Sequence, residues 1–170
     1  MGKNEDFHNL QTTKLGDIGE ELVDNFLYLE GLDNGWGTSD IYVPNHNGSH
    51  IIDRVMFLSG SVICFDVKTK SSRDLYSDVG IDTNDYKKYK MLANSGVHVM
   101  LFFVDVKLGK CYGGFLGDID KEYYIGRNRY PLHSQTSYGF DVTYFPIDIM
   151  KEYFVIEEED LVRLRKFSKK

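Results

Sequence analysis

The chain has 170 residues, 42% of them hydrophobic and 14% aromatic, which is enough for one core and points to one domain. Charged residues make up 27%, mixed in sign, and the net charge of −6 excludes a protein that holds nucleic acid by a large basic surface. It leaves room for an enzyme that touches a polyanion locally.

Residues 1–12 read as a polar leader without the apolar core of a signal peptide. From residue 14 to 30, Leu15, Ile18, Leu22, Phe26 and Leu29 recur at three and four, which predicts a helix capped by Thr12 or Thr13 and stopped at Gly31. Residues 36–43 predict a short strand closed by Pro44, and Asn47-Gly48 a turn. Residues 51–58 and 62–68 predict two strands joined as a hairpin through Ser59-Gly60-Ser61. Residues 71–80 read as a loop. Asp82 or Thr83 caps a helix over 84–94, and 97–106 is the predicted central strand. A strand over 111–116 follows, then a long loop over 122–138, a last strand over 141–145, a helical turn at 146–148 and a helix over 157–167. The order predicts an α/β (α+β) fold, a mixed sheet flanked by helices. The core runs from about 14 to 117, with a loop-rich extension and terminal helix over 118–170. Cys64 and Cys111 lie in apolar runs without metal-ligand spacing and read as buried thiols of a reducing compartment, so a cytoplasmic protein is expected. The longest apolar run, 97–104, is too short to span a membrane.

The chemistry concentrates on two acids and a lysine. Strand side chains alternate faces, so Asp66 and Lys68 project together while Val67 points away. The run before them, Val62 to Phe65, is apolar on both faces and so belongs to a strand buried on both sides, where charges need partners or a metal. Asp53, an acid in the preceding apolar run, can reach the same place, or can pair with Arg54 or Lys68. Two carboxylates suit Mg²⁺ or Mn²⁺, completed by phosphate oxygens of a substrate. Lys68 can position a water or offset charge on the phosphorus.

The order of helix, Asp strand and Asp-x-Lys strand resembles the PD-(D/E)xK nuclease superfamily, most closely its small Holliday junction resolvase-like and related endonuclease-like members. The resemblance covers residues 15–70, with weaker support to 106, and includes Gly16-Asp17-Ile18-Gly19-Glu20 and Gly31. It implies a restriction-endonuclease-like core, with Glu20 as the helix acid that completes a metal site formed by Asp53 and Asp66, and Lys68 as the catalytic lysine. Ile52 stands where the name-giving proline would be. Glu21, beside Glu20, can substitute for it, and Asp40 is a further candidate ligand. The resemblance also implies a polar side chain from the following helix beside the site, for which Tyr86 is the candidate.

Lys70 shares the face of Asp66 and Lys68 and can touch phosphate. Lys87, Lys88 and Lys90 form a lysine face on the second helix, and Arg127 and Arg129 flank Asn128 in a basic-aromatic segment; these are the candidate DNA contacts. The basic C-terminal residues read as a solvated tail. No His pair has metal spacing and no Gly-rich loop precedes Lys-Ser/Thr, so no nucleotide cofactor is expected. The expectation is a Mg²⁺-dependent endonuclease acting on DNA, branched or junction DNA included, and a homodimer, because two cuts are simplest with two-fold symmetry. The rivals are a catalytically inactive nuclease-fold DNA-binding protein and a protein-interaction regulator with an acidic surface.

Overall fold

The computed structural model describes residues 11–33, 41–42, 52–58, 60–73, 75–120, 124–127 and 141–168. The first helix, α1 (Gln11–Asp33), runs three residues longer at each end than the periodicity predicts, so Thr12 and Thr13 lie inside it rather than capping it and Gly31 does not stop it. Ile18, Val23 and Leu27 are buried, while Leu29 is exposed, so the apolar stripe drifts around the helix toward its C-terminal end. A short β1 (Ile41–Tyr42) precedes β2 (Arg54–Leu58) and β3 (Ser61–Lys70). These last two form the predicted antiparallel hairpin, with Leu58 opposite Ser61 and Gly60 taking the left-handed conformation (φ +82°) of the tight turn.

The next segment departs from expectation. Residues 78–82, read mostly as loop, form β4 (Asp78–Asp82). Asp82 then caps α2 (Thr83–Asn94) by accepting from the Asn84 N–H at 2.8 Å. β5 (His98–Asp105) and β6 (Lys110–Phe115) follow as predicted, and a single turn, α3 (Leu116–Ile119), leaves β6. β7 (Tyr124–Arg127) lies where a loop was expected. β8 (Asp141–Pro146) and a 3₁₀ turn (Ile147–Ile149) match the sequence reading. β9 (Lys151–Val155) was not anticipated, and α4 (Glu158–Phe167) closes the chain.

Six strands make the main sheet in the order β1-β2-β3-β5-β6-β9. β3 and β5 are parallel, from Ile63 beside His98 to Lys70 beside Asp105, and every other pairing is antiparallel. The sheet is therefore mixed and its centre is buried on both faces, with Ile63 to Val67 all buried. One face, carrying Phe65, Val67, Phe102 and Val104, packs under α1 and α4. The other, carrying Leu101 and Phe103, packs on α2, α3 and a second sheet of order β4-β8-β7 through Tyr89, Ile81 and Phe145. The fold is thus the mixed α/β sheet flanked by helices that the element order predicts. No helix among the described residues is long and apolar enough to cross a membrane, and both cysteines are buried free thiols.

Gly19 shows how closely α1 lies on the sheet. A Cβ there would meet Thr69 Oγ1 of β3 at 1.8 Å, so only glycine lets the helix settle at this point. The contact sets the height of the neighbouring Glu20 above the sheet.

Candidate active site at the parting of two strands

The site forms where β2 leaves β3. Asp53 stands just before β2. Its N–H still bonds the Phe65 carbonyl at 3.2 Å, and its Oδ2 accepts the Val67 N–H at 2.8 Å. One carboxylate oxygen thus takes the place of the strand partner that β3 loses beyond this point. This sets the Asp53 charge beside Asp66, the residue before Val67.

Asp66 is 3% exposed, deep in β3 on the face shared with Leu101. Its Oδ2 lies 2.8 Å from Lys68 Nζ but has no hydrogen-bond partner of good geometry. Burial pushes the Asp66 carboxyl up to about 7; the Lys68 ammonium works against the shift and the Asp53 charge adds to it. Burial opposes the Lys68 charge, yet Asp66, Asp53 and Asp85 together outweigh it and hold the ammonium above its ordinary value. Asp85, in the first turn of α2, adds a carboxylate 3.9 Å from Lys68.

The tyrosine beside this pair is Tyr89, not Tyr86. Tyr89 is 2% exposed, its hydroxyl serves Asp66 as a donor, and the Lys68 ammonium lies 5.9 Å from its ring centre. Tyr86, one turn earlier, is buried against Phe145 with its hydroxyl 3.5 Å from Asp120. Helix phase separates the two: both point inward, and Tyr89 meets Asp66 of β3. From sequence alone Tyr89 reads as a packing residue, and only the pairing of α2 with the sheet reveals its hydroxyl partner.

Glu20 approaches from the other face. Arg54 points toward α1 and pairs with Glu20 at 2.9 Å and Asp24 at 3.1 Å, while its Nη1 donates to the Asp53 carbonyl at 3.0 Å. Burial raises the Glu20 carboxyl, the Asp53 charge raises it further, and Arg54 pulls it back. Asp53 therefore stands at a sheet margin where its charge is felt by Asp66 and Lys68 on one side and by Glu20 and Asp24 on the other. Glu21, the alternative helix acid, is exposed and pairs with Arg163 of α4 at 2.8 Å.

The candidate DNA contacts are dispersed. Lys70 Nζ donates to the Gly80 carbonyl at 2.8 Å. Lys88 pairs with Asp85 at 3.0 Å and Lys90 with Asp120. Lys87 is exposed on α2. Arg127 ends β7, its side chain outside the described residues, and Arg129 and Asp40 lie outside them altogether.

Among the described residues no three His, Cys, Asp or Glu side chains gather into a metal cage. Asp53 and Asp66 nonetheless fit a hard cation that uses two carboxylates and takes its remaining oxygens from water or substrate. The observation that supports the fit is the buried Asp66 Oδ2, which meets the Lys68 ammonium at 2.8 Å without hydrogen-bond geometry.

No protein-family model matches the chain, and no curated protein matches it. Among solved structures, the chain is similar to Hjc, a Holliday junction resolvase of the archaeal hyperthermophile Archaeoglobus fulgidus. The TM-score is 0.39 and the identity 9%, over 69% of this chain and 83% of that one. A likeness this loose leaves the functional reading to the side chains themselves.

Proposed function

We propose that the protein is a metal-dependent deoxyribonuclease that hydrolyses phosphodiester bonds, with branched or junction DNA as a candidate substrate. The observation that carries the reading is the meeting of Asp53, Asp66 and Lys68 at the parting of β2 and β3, with Asp66 buried beside the lysine. The order of helix acid, Asp and Asp-x-Lys, which resembles the PD-(D/E)xK superfamily, supports it.

Asp53 and Asp66 would hold Mg²⁺ or Mn²⁺, with Glu20 as a third carboxylate if Arg54 releases it. Bound there, such an ion supplies Lewis acidity toward a phosphate oxygen and lowers the pKa of a coordinated water. The chain's own groups do the rest. Lys68 places a positive charge where the phosphate gains negative charge, and orients the attacking water. Tyr89 and Asp66 fix the direction of the ammonium. Lys70, Lys87, Lys88, Lys90, Arg127 and Arg129 are the proposed backbone contacts. A homodimer would place two such sites on two strands.

A second reading, a nuclease fold that binds DNA or a protein without cutting, is favoured by the ion pairs that occupy Lys88 and Lys90 and by the net charge of −6. Incubation with plasmid, duplex, branched and single-stranded DNA in Mg²⁺ or Mn²⁺ separates the two. Metal-dependent cleavage that is lost in Asp66→Asn and Lys68→Ala supports the enzyme. Binding without cleavage by the folded wild-type chain removes it.

A further inference from the structure

Beyond the end of β3, and outside the carboxylate site, the chain brings an arginine and two tyrosines together. The Arg73 guanidinium lies 4.3 Å from the ring centre of Tyr76 and 3.9 Å from that of Tyr144. Its Nε and Nη2 donate to the two carboxylate oxygens of Asp78 at 2.6 and 2.5 Å, and Asp78 is buried. A bidentate carboxylate fixes the plane of the guanidinium. The fixed guanidinium in turn gives both tyrosine rings a fixed neighbour. Arg73 is therefore paired as a charge with Asp78 and serves as an anchor for the rings.

Beside this stack lies an open cavity of about 550 Å³, lined by Arg73, Leu75, Tyr76, Ser77, Asp78 and Pro146. Its apolar walls are unusually open to solvent: Leu75 is 87% exposed and Tyr76 58%. Neither helps to close the core. Apolar and aromatic walls with a few oriented polar groups are the composition of a small-molecule site, and an exposed tyrosine ring among them offers a face for a planar ligand.

The location narrows the ligand. Arg73 follows Lys68 by five residues along the same chain, so the two Cα atoms lie within about 18 Å of each other. A nucleic-acid strand rises about 3.4 Å per nucleotide, so about five stacked nucleotides span that gap. We infer that the Tyr76–Arg73–Tyr144 stack and its cavity are a subsite for an unpaired nucleobase of the strand whose phosphate lies at Lys68. The ligand's identity rests on the nuclease reading; the planar, apolar character of the subsite does not. A base in a duplex is covered on both faces and cannot enter, so the subsite favours unpaired or distorted nucleic acid over regular duplex.

Binding in EDTA, where no cutting is needed, tests this separately from catalysis. The probes are a fluorescein-labelled single-stranded 12-mer and the blunt duplex of the same sequence, read by anisotropy with full-length protein. Tyr76→Ala is expected to weaken single-strand binding at least about five-fold and leave duplex binding unchanged, while Tyr76→Trp restores it. The Tyr76 side chain is largely exposed, so the variants should fold, and their melting temperatures check this. Equal losses on both probes, no loss on either, or no single-strand binding by the wild type would overturn the inference. A wild type that binds the single strand through Tyr76 but never cleaves DNA would overturn the nuclease reading and leave the subsite standing.

Discussion

Two buried acids on neighbouring strands, Asp66 of β3 and Asp105 of β5, are treated in opposite ways by the same sheet. Asp105 is fully buried and accepts from the backbone N–H groups of Ser72 (2.9 Å), Lys107 (2.8 Å) and Leu108 (3.0 Å) and from the Tyr112 hydroxyl (2.6 Å). It ties the end of β3 and the β5–β6 turn to one carboxylate. Asp66, almost as deep, has a lysine and a tyrosine beside it and one oxygen without a hydrogen-bond partner. A buried acid held by four donors is part of the fold's framework. One held mainly by a neighbouring lysine costs stability, and the proposed chemistry at that position would account for the cost.

The sharpest way to break this contrast is to remove each acid in turn. Asp66→Asn is expected to lower cleavage by at least about 10³-fold with a folded chain by circular dichroism. Asp105→Ala is expected to lose about 3 kcal/mol of stability in urea unfolding, because it strands buried donors. An Asp66 variant that unfolds while an Asp105 variant stays stable would reverse the assignment.

The next effect is a pH dependence. The Asp66 carboxyl binds its proton more tightly in the folded chain, at about 7, than at its ordinary value of 3.8. Between those values the folded state carries more protons than the unfolded one, so stability falls as pH rises through the window. The loss amounts to at most about 4 kcal/mol at 1.36 kcal/mol per pH unit. Melting temperatures of wild type and Asp66→Asn from pH 4 to 8 should diverge accordingly. A wild-type curve parallel to that of the variant would contradict the raised carboxyl.

The depth at which Asp66 meets Lys68 was not legible in sequence, but its neighbourhood was. Alternation alone places Asp66 and Lys68 on one face, and the apolar run from Val62 to Phe65 announces a strand buried on both sides. The hairpin, α2 and β5 followed from turn, cap and β-branched signals in the same way. β4 was missed because five residues with an acid at each end and Gly80 in the middle look like a loop until β8 pairs with them. β9 was missed because Lys151 and Glu152 disguise a strand that borders β6. Arg54 was noticed as a possible partner of Asp53, but its ion pairs with Glu20 and Asp24 depend on which way α1 faces the sheet. Tyr89 and the Arg73 stack likewise arise from tertiary contacts that no local pattern records.

A smaller effect tests the helix side of the site. Gly19→Ala forces α1 away from Thr69 and is expected to cost about 1–3 kcal/mol, shifting Glu20 relative to Arg54. Urea unfolding of the variant measures it, and an unchanged midpoint would show that α1 does not lie as close to β3 as described.

The central claim, that the parting of β2 and β3 is a hydrolytic centre, is tested most directly by the single-turnover cleavage rate of end-labelled branched DNA in Mg²⁺. Wild type and Asp66→Asn are compared at equal concentrations of folded protein. The account predicts metal-dependent cuts by the wild type and a rate at least about 10³-fold lower in the variant. Wild-type protein that makes no cut in any divalent metal, or a variant that cuts at the wild-type rate, would contradict it.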